Sequence, residues 1–153
     1  ALGLKTAPVD TLMALSWNAA HDGALICPLI DAKRGEAYAA IYRLHDGELP
    51  ETVIEPSVIP TATLPAFIGG LNEVVTIAGP GALRFAKTLD QNGIRYSLTS
   101  EERFAPSALS IAEIGAIIFE NGSAVEPAAL KPLYLRRSDA EIARDLAAEK
   151  RNC

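Results

Sequence analysis

Residues 30–42, IDAKRGEAYAAIY, carry the densest set of side chains able to engage a partner or ligand. An Asp closes an apolar stretch, a basic pair follows, and Gly-Glu-x-Tyr opens the next stretch. That order sets Asp31, Lys33, Arg34 and Glu36 around one turn. Charges of both signs on a turn suit contact with a protein partner or a nucleotide. The same pattern also describes a merely solvated hairpin tip, with Tyr38 and Tyr42 packed on the sheet behind it. A second candidate is 74–83, VVTIAGPGAL, where Gly79-Pro80-Gly81 separates a strand pattern from a helix pattern. Glycines at such a junction let backbone N–H groups and a helix N-terminus approach a phosphate or an adenine ring. No Gly-Lys-Ser/Thr follows, so this is not a P-loop, and the spacing is not that of a dinucleotide fingerprint. Gly-Pro-Gly is also a simple way to end a strand. A third candidate, Pro132-Leu133-Tyr134-Leu135-Arg136, reads as a short docking strand or as the chain folding back, with Tyr134 and Arg136 tying its end to the body.

Catalytic constellations do not emerge from the spacing. His21 and His45 stand 24 positions apart and match no metal-ligating pattern. No serine lies in a GxSxG elbow. Cys27 sits in an apolar run without the basic neighbours that lower a thiol pKa. Glu101-Glu102 is a lone acidic pair in a loop. The expectation is a chain with no catalytic residue and no metal ligand of its own.

The elements that must hold these residues follow from periodicity. Asp10 or Thr11 caps a helix running to about Ala20 with Leu12, Leu15 and Ala19 on one face. Residues 24–31, ALICPLID, form a near-continuous apolar run and hence a buried strand. After a turn at Lys33-Arg34-Gly35, residues 36–45 alternate, Tyr38, Ala40, Tyr42 and Leu44 facing one way and Ala37, Ala39 and Ile41 the other. Asp46-Gly47 is a hairpin signal leading to a third strand, 48–54, which Pro50 marks as an edge. A Pro- and Thr-rich connection over 56–63 leads to a helix near 64–69, a strand at 74–78, a helix at 83–91 and a strand at 94–98. Ser107 caps a long helix ending at Asn121-Gly122. Its apolar positions, Ile111, Ala112, Gly115, Ile118 and Phe119 with Leu109, Ile114 and Ile117, predict deep packing. A three-stranded antiparallel meander followed by helix–strand alternation is an α/β plan, that of a ribonuclease-H-like or actin-like lobe.

Composition agrees. The 153 residues are 49% hydrophobic, 6% aromatic and 22% charged. A chain of this length buries about 68% of its unfolded surface and needs no disulfide or metal staple. The net charge of -5 predicts no direct nucleic-acid grip. No apolar run reaches the length of a membrane span, and no signal pattern opens the chain, so the expected compartment is cytoplasmic. Cys27 and Cys153 read as a buried thiol and a free end.

ALGLKTAPVDTLMALSWNA, PLIDAKRGEAYAAIY, IAGPGAL and KPLYLRR, in this order and spacing, resemble the TsaB family, formerly YeaZ. The likeness runs to Arg137 and is to the family's C-terminal portion. It implies a two-lobed actin-like (ASKHA) fold. It also implies a non-catalytic role in making threonylcarbamoyladenosine in tRNA, beside a catalytic, metal-holding paralogue, TsaD, and a small ATPase, TsaE. The older glycoprotease label draws no support from the histidine spacing. Under this resemblance residues 1–20 end a missing N-terminal lobe, through which a homodimer would form; 21–137 are the C-terminal lobe and 138–153 a polar helical tail. Gly79-Pro80-Gly81 falls where actin-like kinases hold adenosine. Proline fixes φ and removes an N–H donor there, so the expectation is a vestigial nucleotide site. No cofactor is expected on this lobe, with ATP or ADP bound weakly or only at a complex interface. The rival expectation is an actin-fold, ATP-dependent small-molecule kinase relative.

Overall fold

The computed structural model describes residues 3–19 and 23–136. His21, Asp22, Cys153 and the expected tail over 138–153 lie outside the described residues. Asp10, in extended backbone, caps α1 (Thr11–Asn18) by accepting from the Leu12 and Met13 amides at 2.9 and 3.1 Å. Three strands follow: β1 (Leu25–Lys33), β2 (Glu36–Arg43) and β3 (Glu51–Pro60). Then come α2 (Leu64–Gly69), β4 (Val75–Ala78), α3 (Ala82–Gln91), β5 (Tyr96–Leu98) and α4 (Ala108–Glu120).

The five strands form one sheet in the order β3-β2-β1-β4-β5. β1, β2 and β3 pair antiparallel, whereas β4 joins β1, and β5 joins β4, in parallel. This is the mixed α/β plan that the meander and the alternation predict. β1 is central and covered on both sides, which accounts for its continuous apolar run. Along β2, Ala37, Ala39 and Ile41 enter the core shared with α2 and α3, while Ala40 and Tyr42 meet Leu12 and Leu15 of α1 on the other face.

Two elements differ from the periodicity. β3 runs to Pro60, through residues expected to form a connection. It tolerates Pro56 because it is an edge strand whose register against β2 slips twice, once between Ala39 and Ile41 and once between Ile41 and Tyr42. The chain does turn at Asp46-Gly47, but the third strand starts only at Glu51. Meanwhile Leu44 continues the ladder by exchanging backbone bonds with Gly23 and Ala24. Finally, α4 is not deeply packed: Leu109, Ile111 and Phe119 are 66%, 43% and 50% exposed. α4 forms a third layer lying on α1 rather than on the sheet. Only the stripe Ser110, Ile114 and Ile118 is therefore buried. Its ends match expectation: Ser107 accepts from the Leu109 amide, and Gly122, at φ 71°, closes it with Ser123 N–H donating to the Ile118 carbonyl.

Candidate functional site

The hairpin joining β1 and β2 is pinned from several sides. Lys33 pairs with Glu36, leaving Arg34 and Gly35 at the turn. Lys33, Arg34 and Gly35 have φ of 64°, 54° and 78°, so two side-chain-bearing residues occupy left-handed backbone. Asp31 holds that conformation, its Oδ1 accepting from the Lys33 amide at 2.9 Å and its Oδ2 from Lys33 Nζ at 3.1 Å. Arg84 Nη1, from the first turn of α3, donates to the same Oδ2 at 2.6 Å. The Lys33 amide first, then the Lys33 ammonium and the Arg84 charge, hold the Asp31 carboxyl below its ordinary pKa. On the far side of the turn, Thr61 donates from both its amide and its hydroxyl to the Gly35 carbonyl, each at 2.7 Å.

The end of the described chain returns to this hairpin. Arg136 Nη1 donates to the Ala32 carbonyl at 3.3 Å and lies 3.4 Å from Glu36 Oε2. Leu135 packs on the α1–β2 cluster. Arg136 thus ties the chain end to the body, whereas Tyr134, expected to share that task, is 82% exposed. Tyr38 is half-buried against α1, and Tyr42 is buried, its hydroxyl 3.4 Å from Asp10 Oδ1. Burial, with the Asp10 charge, pushes the Tyr42 hydroxyl pKa up. Between α1 and residues 133–136 lies a groove of about 270 Å³.

The Gly79-Pro80-Gly81 turn lies beside the same end of β1. Both glycines face the β1 backbone: a Cβ at either would stand 2.8 Å from the Leu29 carbonyl oxygen. Gly81 N–H donates to that oxygen at 2.8 Å, and Ala82 N–H turns back to the Gly79 carbonyl at 3.0 Å. Close packing of the β4–α3 crossover on β1 therefore accounts for both glycines. Asp31, Lys33, Arg34, Glu36 and Arg136 do come together, and Gly79-Pro80-Gly81 sits nearby. Arg84 is the member that spacing missed. Its signal was a cation in the first turn of a helix, where the macrodipole disfavours it.

The remaining polar candidates lie elsewhere. Cys27 is fully buried in the sheet, and desolvation raises its thiol pKa far above the usual range. His45 lies on the surface, with Nε2 3.4 Å from Glu51 Oε2. Glu101 and Glu102 are exposed on a single 3₁₀ turn. Among the described residues, no three His, Cys, Asp or Glu side chains converge as a metal site would require. No described helix is long and apolar enough to cross a membrane.

No family model matches the chain. It is 25% identical over 140 residues to the tRNA threonylcarbamoyladenosine biosynthesis protein TsaB of Bacillus subtilis, spanning 92% of this chain and 59% of that protein. Its fold superposes on YeaZ from Pseudomonas aeruginosa with a TM-score of 0.64 and 22% identity, over 83% of this chain and 57% of that one. A further P. aeruginosa structure, described as similar to peptidase YEAZ, gives a TM-score of 0.68 at 22% identity, over 84% and 57%. The likeness to the TsaB (YeaZ) family holds in sequence and in fold. The chain spans less than two thirds of the length of these relatives.

Proposed function

We propose that this chain is the C-terminal lobe of a TsaB-like protein acting in tRNA threonylcarbamoyladenosine biosynthesis. The observation that carries the reading is the alignment with B. subtilis TsaB over 92% of the chain. In this reading the lobe is a non-catalytic support, working beside a TsaD-like catalytic paralogue and a TsaE-like ATPase in the cytoplasm. The disposition of its polar groups supports such a role. The described thiol is sealed inside the sheet, the described histidine is on the surface, and Asp31 uses its carboxylate to pin a hairpin. The lobe binds nucleotide poorly: Pro80 has no N–H, and the Gly81 and Ala82 amides already donate within the fold.

The test is made in the cell. The full-length gene product is depleted, and threonylcarbamoyladenosine is quantified in digested bulk tRNA by mass spectrometry. Collapse of that nucleoside, restored by the wild-type gene, is the expected result. An unchanged level, in a genome with no paralogue to cover the loss, overturns the proposal.

A further inference from the structure

Three local rules are broken within one small region, and each break places a cation there. Lys33 and Arg34 adopt left-handed backbone, which residues with a Cβ disfavour. An Asn-Gly or Asp-Gly turn would relieve part of that strain. Arg84 sits in the first turn of α3, where the helix dipole repels a positive charge. Concentrated violations of this kind mark functional positions more often than accidents of folding.

The arrangement is also rigid and outward-facing. Lys33 and Arg84 share the single oxygen Oδ2 of Asp31, so neither cation is fully compensated. Asp31 itself is 18% exposed, while Lys33 and Arg84 are 79% and 59% exposed. Arg34 is exposed at the tip between them in sequence. Because Thr61 and Arg136 clamp the hairpin backbone, little ordering remains to be done on binding.

We propose that Lys33, Arg34 and Arg84 form a preorganised docking site for an acidic protein segment. This goes beyond the part in tRNA modification and does not depend on it. Carboxylates are favoured over a run of phosphates for two reasons. Asp31 and Glu36 lie within the cluster and would repel closely spaced phosphates, and the chain as a whole carries -5. A few spaced carboxylates match guanidinium and ammonium groups without that conflict.

The probe is a fluorescein-labelled peptide of glutamates spaced by glycine and serine, titrated with the whole chain by fluorescence anisotropy at low salt. The expected result is saturable binding that weakens about tenfold in a Lys33→Gln/Arg84→Gln variant, two exposed ion pairs being worth about 1–2 kcal/mol together. A Lys5→Gln/Arg95→Gln control, which removes the same charge elsewhere on the exposed surface, binds like wild type. Arg34→Gln, which leaves the Asp31 contacts in place, loses a smaller part and serves if the double variant fails to fold. Absence of binding, or equal weakening in the cluster and control variants, overturns the proposal. So does bulk tRNA that binds more tightly than the peptide and through the same residues, which would make the ligand a nucleic acid.

Discussion

Replacing glycine by alanine at three positions separates two costs that a single substitution would confound. Gly47 has φ 76° and no atom within 4 Å of an added Cβ, so alanine there meets only the backbone penalty. That penalty is about 1–2 kcal/mol, partly offset by lost freedom in the unfolded chain, for a net cost of about 1 kcal/mol. Gly81 is the converse, with ordinary φ of -85° but a Cβ position 2.8 Å from the Leu29 carbonyl oxygen and 2.9 Å from Phe85 Cε2. Backbone cannot swing away as a flexible side chain would. Overpacking of this kind costs about 1–3 kcal/mol. Gly79 combines φ 88° with the same 2.8 Å approach, so Gly79→Ala costs about 3 kcal/mol, the sum of the two. For a chain of this size each kcal/mol lowers Tm by about 2–4 °C. The expected order of melting is therefore wild type above Gly47→Ala, then Gly81→Ala, then Gly79→Ala. Urea and thermal unfolding can follow the single Trp17, whose indole N–H donates to Glu113 at 2.7 Å. Were these glycines kept open for a ligand rather than for β1, Gly81→Ala would cost the ligand-free protein nothing. A Gly81→Ala variant melting at or above wild type refutes the packing argument.

Other expectations follow from the same geometry. Asp10→Ala removes the carboxylate oxygen that accepts from two amides at the start of α1 and destabilises the fold by about 0.5–2 kcal/mol, read as a lower urea midpoint with unchanged m. Because the Asp31 pKa is lowered on folding, its stabilising contribution is present above the unfolded carboxylate pKa and is lost as pH falls through the folded value. An NMR titration of the Asp31 carboxyl should show a depressed midpoint that moves up in Lys33→Met; a normal midpoint in the wild-type protein refutes the contact. In a Cys153→Ser background, Cys27 should resist a thiol reagent until urea unfolds the sheet, whereas rapid labelling in native buffer contradicts its burial.

Legibility in the sequence was uneven for physical reasons. β2 was clear because one strand with opposite environments on its two faces must alternate, and Tyr38, Ala40 and Tyr42 do. The caps at Asp10 and Ser107 were clear because a polar side chain at a helix start satisfies amides only a few residues away. β3 was misjudged beyond Ile54, although it was read as an edge, because the Pro- and Thr-rich run from Pro56 looks like a connection, and the register slips that accommodate it are set by pairing with β2. α4 was misjudged because apolar residues all round a helix predict burial, whereas its place on α1 leaves most of them exposed.

The chain by itself determined the order of elements, the antiparallel meander, the helix starts and the charged turn, since each depends on neighbours within a few positions. The tertiary structure decided what meets across the crossover. Arg84 reaches Asp31 over a separation of 53 residues because β4 lies parallel to β1 and delivers the start of α3 to the end of that strand. The same crossover presses Gly79 and Gly81 onto Leu29 and turns a sequence that suggests a ligand loop into a packing contact. Local periodicity carries no information about such pairings, because the distance that matters is across the sheet and not along the chain.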